Sequence, residues 1–366
     1  MSAINYVMLA FAALAALDRI FGNKFGLGRE LERGINMLGT LTVSMLGMIV
    51  IAPMIAHLLT GAAEVFPSFL DFSIIPSMLL ANDMGGAHLA IELASSEAMG
   101  YFNGLVVGSM MGCTVSFTIP YVTSAVGREH QKGIIFGLLC GIITVPVGCI
   151  VAAVFCDVPF LSAVINLIPL VLFSAIVAVG IIKFENATVK IFVCLGWVLK
   201  ALITFGLIVG ITEALTGYRI LPYMESFSDS MDIILNIACI MMGAFPLLYV
   251  IRRLLRAAFA KLGALLGINE SSAIGLFLTT ANSVTTYATV DSMDERGVIL
   301  NSAFAVSASF LFIDHLAFTL SFNSAYVPWV VLGKLVSGIS AVALAVLLLK
   351  IKKSRPVSDK ALENAN

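Results

Sequence analysis

Read only for apolar and polar positions, the chain is a succession of long apolar runs separated by short polar breaks. With roughly 20 apolar residues needed per bilayer-spanning helix, the pattern predicts eleven hydrophobic segments: 4–22, 36–60, 74–94, 99–125, 132–155, 160–182, 188–214, 232–253, 271–290, 297–322 and 326–350. The first run, INYVMLAFAALAALDRIFG, lacks a basic n-region and a small-residue cleavage site, so it reads as a retained membrane helix rather than a signal peptide.

Two of the eleven segments are interrupted by residues that break or cap helices. PSMLLANDMGGAHL carries Asn82, Asp83, Gly85 and Gly86, and LFLTTANSVTTYAT carries Thr279, Thr280, Asn282, Ser283, Thr285 and Thr286. Non-helical backbone at membrane depth survives only where protein or a watery cavity satisfies it. Lysine and arginine decide the topology, because short cytoplasmic loops hold them in excess. They cluster at Lys24, Arg29 and Arg33, at Arg128 and Lys132, at Lys183 and Lys190, at Arg252, Arg253, Arg256 and Lys261, and at Lys350, Lys352, Lys353 and Arg355. Eleven full crossings would put the second and third clusters opposite the first. If 74–94 and 271–290 re-enter instead, all five clusters fall in the cytoplasm, the N-terminus lies outside, the C-terminus inside, and nine helices cross.

A weak internal repeat agrees with that topology. At an offset near 196 to 200 residues, MLGMIVIAPMIAHLL (45–59) aligns with MMGAFPLLYVIRRLL (241–255), LLAND (79–83) with TTANS (279–283), and FNGLVVGS (102–109) with LNSAFAVS (300–307). The segments at 36–60 and 232–253 then run in opposite directions, so the repeats are inverted, as in carriers that bind near the midplane where discontinuous segments meet. The expected organisation is one transmembrane transporter domain over 1–356, with repeat A at about 36–155, connecting helices at 160–214 and repeat B at 232–350, followed by a cytoplasmic tail at 357–366. The fold class is therefore an all-α polytopic membrane protein.

Composition reinforces this class: 60% of the 366 residues are hydrophobic and 12% charged, with a mean hydropathy of +1.02. A net charge of −1 without long basic tracts leaves no footprint for nucleic acid. The six cysteines show no CxxC spacing and read as small packing residues, with no metal site. No phosphate loop, dinucleotide fingerprint, HExxH or nucleophile elbow is present, and no cofactor is implied.

Ionisable groups inside a membrane are functional candidates by default. Asp83, beside the Gly85 and Gly86 break, reads as a substrate or ion ligand, against the plainer role of capping a broken helix. Gly85 and Gly86 let the backbone turn and approach a ligand, or simply pack. Asp314 and His315, deep in ASFLFIDHLAFTLSF, suit cation binding or proton relay. Asn282 and Thr280 offer neutral oxygens for an alcohol or an ammonium. Asn103 and Asn301, related by the repeat, contact either a substrate or a neighbouring helix. Lys200, Lys334, Glu213 and Glu92 lie nearer segment ends, where long side chains reach the interface.

Several stretches are together distinctive: NDMGG (82–86), GSMMG (108–112), GIITVPVGC (141–149), LGINESSAIG (266–275), TTAN (279–282) and above all MDERGVILNSAFAVSASFLFIDHLAF (293–318). They resemble the bacterial ethanolamine-utilisation permeases along nearly the whole chain. The resemblance implies a plasma-membrane permease, not an enzyme, that brings ethanolamine into the cell for catabolism. On that reading Asp83 and Asp314 supply counter-charge to the protonated amine, and Asn282, Thr280, Asn103 or Asn301 bond its ammonium and hydroxyl. A proton or sodium ion is the candidate coupling partner, and membrane lipid surrounds the chain. The alternative is an ion-coupled secondary transporter of another small amine or polar metabolite.

Overall fold

The computed structural model describes residues 3–254 and 256–354, so the expected tail at 357–366 lies outside the described residues. Every regular element among them is helical. Helix α1 spans Ala3–Ile20. A left-handed turn at Gly26 leads into α2, Leu27–Glu64, a continuous helix interrupted by a π-turn at Thr42–Leu46. The short helices α3, Ile74–Leu79, and α4, Gly86–Leu93, flank an irregular stretch. Helix α5, Glu97–Thr123, starts on a Ser96 cap, whose hydroxyl accepts from the Met99 N–H, and is widened to π geometry over Phe102–Gly112. Then come α6, Arg128–Ala153; α7, Phe160–Phe184; α8, Asn186–Thr216; α9, Phe227–Leu254; and α10, Arg256–Leu266.

A second pair of short helices, α11, Glu270–Ala281, and α12, Ser283–Tyr287, meets at Asn282, which leaves helical geometry and caps α12 through its side chain. Helices α13, Glu295–Ala308, and α14, Asp314–Phe322, are separated by an unwound stretch, and α15, Val327–Ser354, closes the fold. Seven helices among the described residues are long and apolar enough to cross a bilayer: α2, α5, α6, α7, α8, α9 and the one containing α15.

The expectation of one plain helix at 297–322 is corrected here. Phe310 takes φ of 59°, and the N–H groups of Phe310 and Phe312 donate to the carbonyls of Thr279 and Thr280 at 3.2 and 2.9 Å instead of to their own helix. The α11 end thus satisfies the backbone that α13 and α14 release, which is the condition for breaking a helix in an apolar layer.

Both broken segments are tied at their ends. Asp71, just before α3, accepts from the Ser95 N–H just after α4 at 2.8 Å. Asp294, just after the α11–α12 segment, accepts from Asn269 N–H at 3.0 Å and from the Ser272 hydroxyl at 2.7 Å. In each case these bonds join the two ends of the segment.

Helix packing around α6 relies on small residues. Helix α6 lies between α13 and α15, where a side chain on Gly137 or Gly141 would strike α13, and one on Gly148 would strike the Gly333 carbonyl of α15. Close backbone approach over small residues is the main packing device between helices in lipid, where burying apolar surface yields little. The outer faces of α7 and α8 instead present Ile176, Ile182, Ile191 and Trp197, as a lipid-facing surface would. All six cysteines are free; four are buried, while Cys194 and Cys239 are exposed.

Candidate functional site

The first broken segment carries Asp83 at its tip. The chain leaves α3 at Leu80, in extended geometry, makes a short 3-10 turn over Asn82–Met84, and re-enters helix through Gly85. Gly85 has φ of +95°, and a side chain there would strike Met48 of α2, so the position requires glycine on both counts. At Gly86 a Cβ would run into the Leu80 and Ala81 carbonyls. The turn is closed by Gly86 N–H donating to Ala81 O at 2.9 Å, and the Ala81 N–H is taken by the Ser116 hydroxyl of α5 at 3.0 Å. Gly104, Gly108 and Gly112, one turn apart on α5, form the flat face on which this segment lies, against Ala87, Asn82 and Leu80.

In the sequence Asn82 reads only as a helix breaker. In the fold its side chain is completely buried, and neither its amide nitrogen nor its amide oxygen has a hydrogen-bond partner. Leaving a buried amide unmatched costs about 1–3 kcal/mol.

Asp314 begins α14 directly after the unwound stretch, and His315 follows, buried. Here the expectation for Lys334 is corrected: it does not reach an interface but is wholly buried. Its Nζ donates to the Ser109 carbonyl at 2.6 Å and lies 2.9 Å from His315 Nδ1. The interior position eight residues along an apolar run, in VPWVVLGKLVSGI, was the available signal. Asp83 lies within electrostatic range of Lys334, and Asp314 within range of Asp83. Neither carboxylate forms an ion pair among the described residues.

Aromatic rings wall the same place. Phe310 stands 5.3 Å from Phe117 in an edge-on arrangement and 5.4 Å from the His315 ring, and it packs with Ala81 and Cys113. His88, on the returning arm α4, has both ring nitrogens unpartnered and stands edge-on to Phe322 at 4.7 Å. Glu92 of the same arm is exposed.

The second broken segment meets this assembly through its backbone. Thr280 is buried, donates its hydroxyl to Phe277 O at 2.7 Å, and accepts from the Phe312 N–H. The Asn282 side chain accepts from Val284 N–H at 2.8 Å. It lines a cavity of about 160 Å³ together with Ile313, Glu30, Arg33 and Arg252, where Arg33 lies 3.6 Å from Glu30.

Asn103 and Asn301 sit elsewhere, at the tied ends. Asn103 Nδ2 donates to the Ser73 hydroxyl at 2.8 Å, and its oxygen accepts from Asn166 at 3.2 Å; Asn166 in turn accepts from Asp71 N–H at 2.7 Å. Asn301 Nδ2 donates to the carbonyls of Ser272 and Gly297, both at 2.9 Å. The sequence-derived set therefore divides. His315 and Asp83 gather around Lys334 and Asp314 lies within range of Asp83 and Arg33, Thr280 and Asn282 border that group from the second segment, and the two repeat-related asparagines anchor the segment bases. Chemically, the gathered group offers two unpaired carboxylates, an unmatched amide and aromatic faces, a combination suited to a small organic cation with a polar second end.

A family model described as "Ethanolamine utilisation protein, EutH" matches residues 1–348. The "Probable ethanolamine permease EutH" of Listeria monocytogenes is 38% identical, covering 99% of this chain and 98% of its own. The protein of the same name from Escherichia coli is 31% identical over 94% of this chain and 95% of its own. The Bacillus subtilis "Uncharacterized protein YxeR" is 30% identical, covering 94% and 93%. No solved structure matches.

Proposed function

This chain belongs to the family of the ethanolamine utilisation protein EutH, and from that premise we propose that it carries protonated ethanolamine across the bacterial plasma membrane for catabolism. It is a multi-pass membrane protein, and its curated relatives are named as permeases rather than enzymes. The observation that carries the reading is the convergence of Asp83 and Asp314, both without ion pairs among the described residues, where broken segments meet.

Ethanolamine is mostly an ammonium ion near neutral pH, so a low-dielectric site must supply counter-charge and acceptors. Asp83 and Asp314 provide the charge, the Phe117 and Phe310 rings face the cation, and Asn82, with Asn282 and Thr280 nearby, serves the hydroxyl. Alternating access then moves the two broken segments in turn, each a re-entrant hairpin between nine crossing helices. Several features support that topology. Each segment is closed at its base by its own carboxylate, Asp71 or Asp294, and each base is held by a repeat-related asparagine. Arg33 and Arg252 line one cavity, while Arg128 lines another with Asn186 and Thr188, beside Lys183 and Lys190. His130, next to Lys132, lies 3.0 Å from Asp291 at the base of the second segment. Basic clusters gathered in this way fit a single cytoplasmic face, with the N-terminus outside and the C-terminus inside.

The test is uptake of labelled ethanolamine at limiting concentration by Asp83→Asn. Leaving a buried charge unpaired costs about 2–5 kcal/mol, so uptake falls by roughly 30-fold or more while the protein stays in the membrane. Wild-type uptake by a well-expressed variant would sink the assignment of Asp83.

A further inference from the structure

Lys334 is an unexplained expense in a carrier for cations. A buried lysine usually stands beside a carboxylate, yet the two acceptors that Nζ reaches, the Ser109 carbonyl and His315 Nδ1, are both neutral groups. An ammonium has three N–H bonds to place, whereas a neutral amine has two. Among the described residues the geometry provides one acceptor for each hydrogen of the neutral amine and none for the third hydrogen of the ammonium. Asp83 lies near enough to stabilise the charged form without fixing it in an ion pair, and Asp314 lies within range of Asp83. The site can thus hold Lys334 in either state, and the substrate's own ammonium competes for the same two carboxylates.

We infer that the Lys334–His315 pair is an exchangeable proton site, so that the carrier takes in one protonated amine and returns one proton. With the substrate site empty, Lys334 is an ammonium that balances one of the two carboxylates. As the substrate ammonium settles beside Asp83 and Asp314, one N–H bond of Lys334 breaks. The electron pair stays on Nζ, and the proton leaves to the water on the open side. The remaining two N–H bonds keep Ser109 O and His315 Nδ1. The net charge of the two carboxylates, the lysine and the guest is one unit negative in both states, so neither half of the cycle drags an additional charge through the low-dielectric layer. The other groups facing the pair are Cys113 on α5 and Cys149 on α6, and neither changes that arithmetic while it remains a thiol.

The inference rests on the permease reading, and one experiment separates the two. In proteoliposomes, with leakage into protein-free vesicles subtracted, labelled ethanolamine is first exchanged against unlabelled ethanolamine. Failure of wild-type protein to exchange would overturn the permease reading itself. Given exchange, a pH gradient of one unit, acid inside, is expected to drive about tenfold accumulation, and an imposed membrane potential to have no effect. Lys334→Gln cannot carry the proton, so its uptake is expected to ignore the pH gradient and to follow an inside-negative potential. Wild-type-like gradient response in Lys334→Gln overturns the inference, as does wild-type uptake driven by potential and indifferent to the gradient. Should Lys334→Gln not fold, Lys334→Arg retains the positive charge and cannot release it. Its net uptake is expected to fall at least tenfold, and gradient-driven accumulation by it counts against the inference.

Discussion

At the proposed site, Asn82 is the single residue whose condition bears most directly on binding. Its amide is buried with no partner for either end, a condition that lowers stability by about 1–3 kcal/mol and that packing alone would not favour. Asn82→Leu replaces the amide with an apolar group of similar size. We expect the variant to melt at the same or higher temperature in detergent while ethanolamine uptake falls by at least tenfold. A variant that loses stability and activity together would show that the amide serves the fold. Asp83 and Lys334 belong to the same scale. Each lies within electrostatic range of the other, and in the proposed cycle the substrate cation shares the same site.

At the scale of elements, the two broken segments depend on their bases rather than on helix propensity. Helices α3 and α4 have 6 and 8 residues, too short to persist alone. Asp71 accepts from Ser73 and Ser95, and its own N–H reaches Asn166, which bonds Asn103. Asp71→Ala unties this base and leaves buried donors unmatched. The expected result is a loss of about 1–3 kcal/mol, read as a lower melting temperature, together with reduced uptake. Asp294→Ala should act in the same way on the second segment, because the Asn269 N–H and Ser272 hydroxyl lose their acceptor. If melting were unchanged in both, the carboxylates would not be what holds the segments.

For the whole molecule, the expectation is that the two bases open on opposite faces of the membrane. Ser96 and Asp291 are both exposed. In a background with the exposed Cys194 and Cys239 replaced by serine, Ser96→Cys should react with an impermeant maleimide added outside intact cells. Asp291→Cys should react only after the membrane is opened. Labelling of both from the same side would refute inverted repeats and the nine-crossing topology with them.

Much of this was legible along the chain. Apolar runs of bilayer length fix the helical membrane class, since lipid offers a backbone no other way to meet its hydrogen-bonding needs. Helix breakers within those runs marked 82–86 and 282, where the helices do end, and Asp83, Asp314 and His315 stood out as ionisable groups in apolar surroundings. What the chain did not disclose is whatever depends on a partner remote in sequence. The unwound stretch before Asp314 reads as helix because its residues are apolar, and it opens only because Thr279 and Thr280 accept its N–H groups. Asn103 and Asn301 carried the same amide as a ligand would, and their place at the segment bases follows from Ser73 and Ser272 being beside them. Lys334 looked like a residue that could reach the interface. Its burial against Ser109 and His315, 225 and 19 positions away, is decided by packing alone, because periodicity and composition report an environment averaged along the chain and cannot report which distant acceptor a side chain meets.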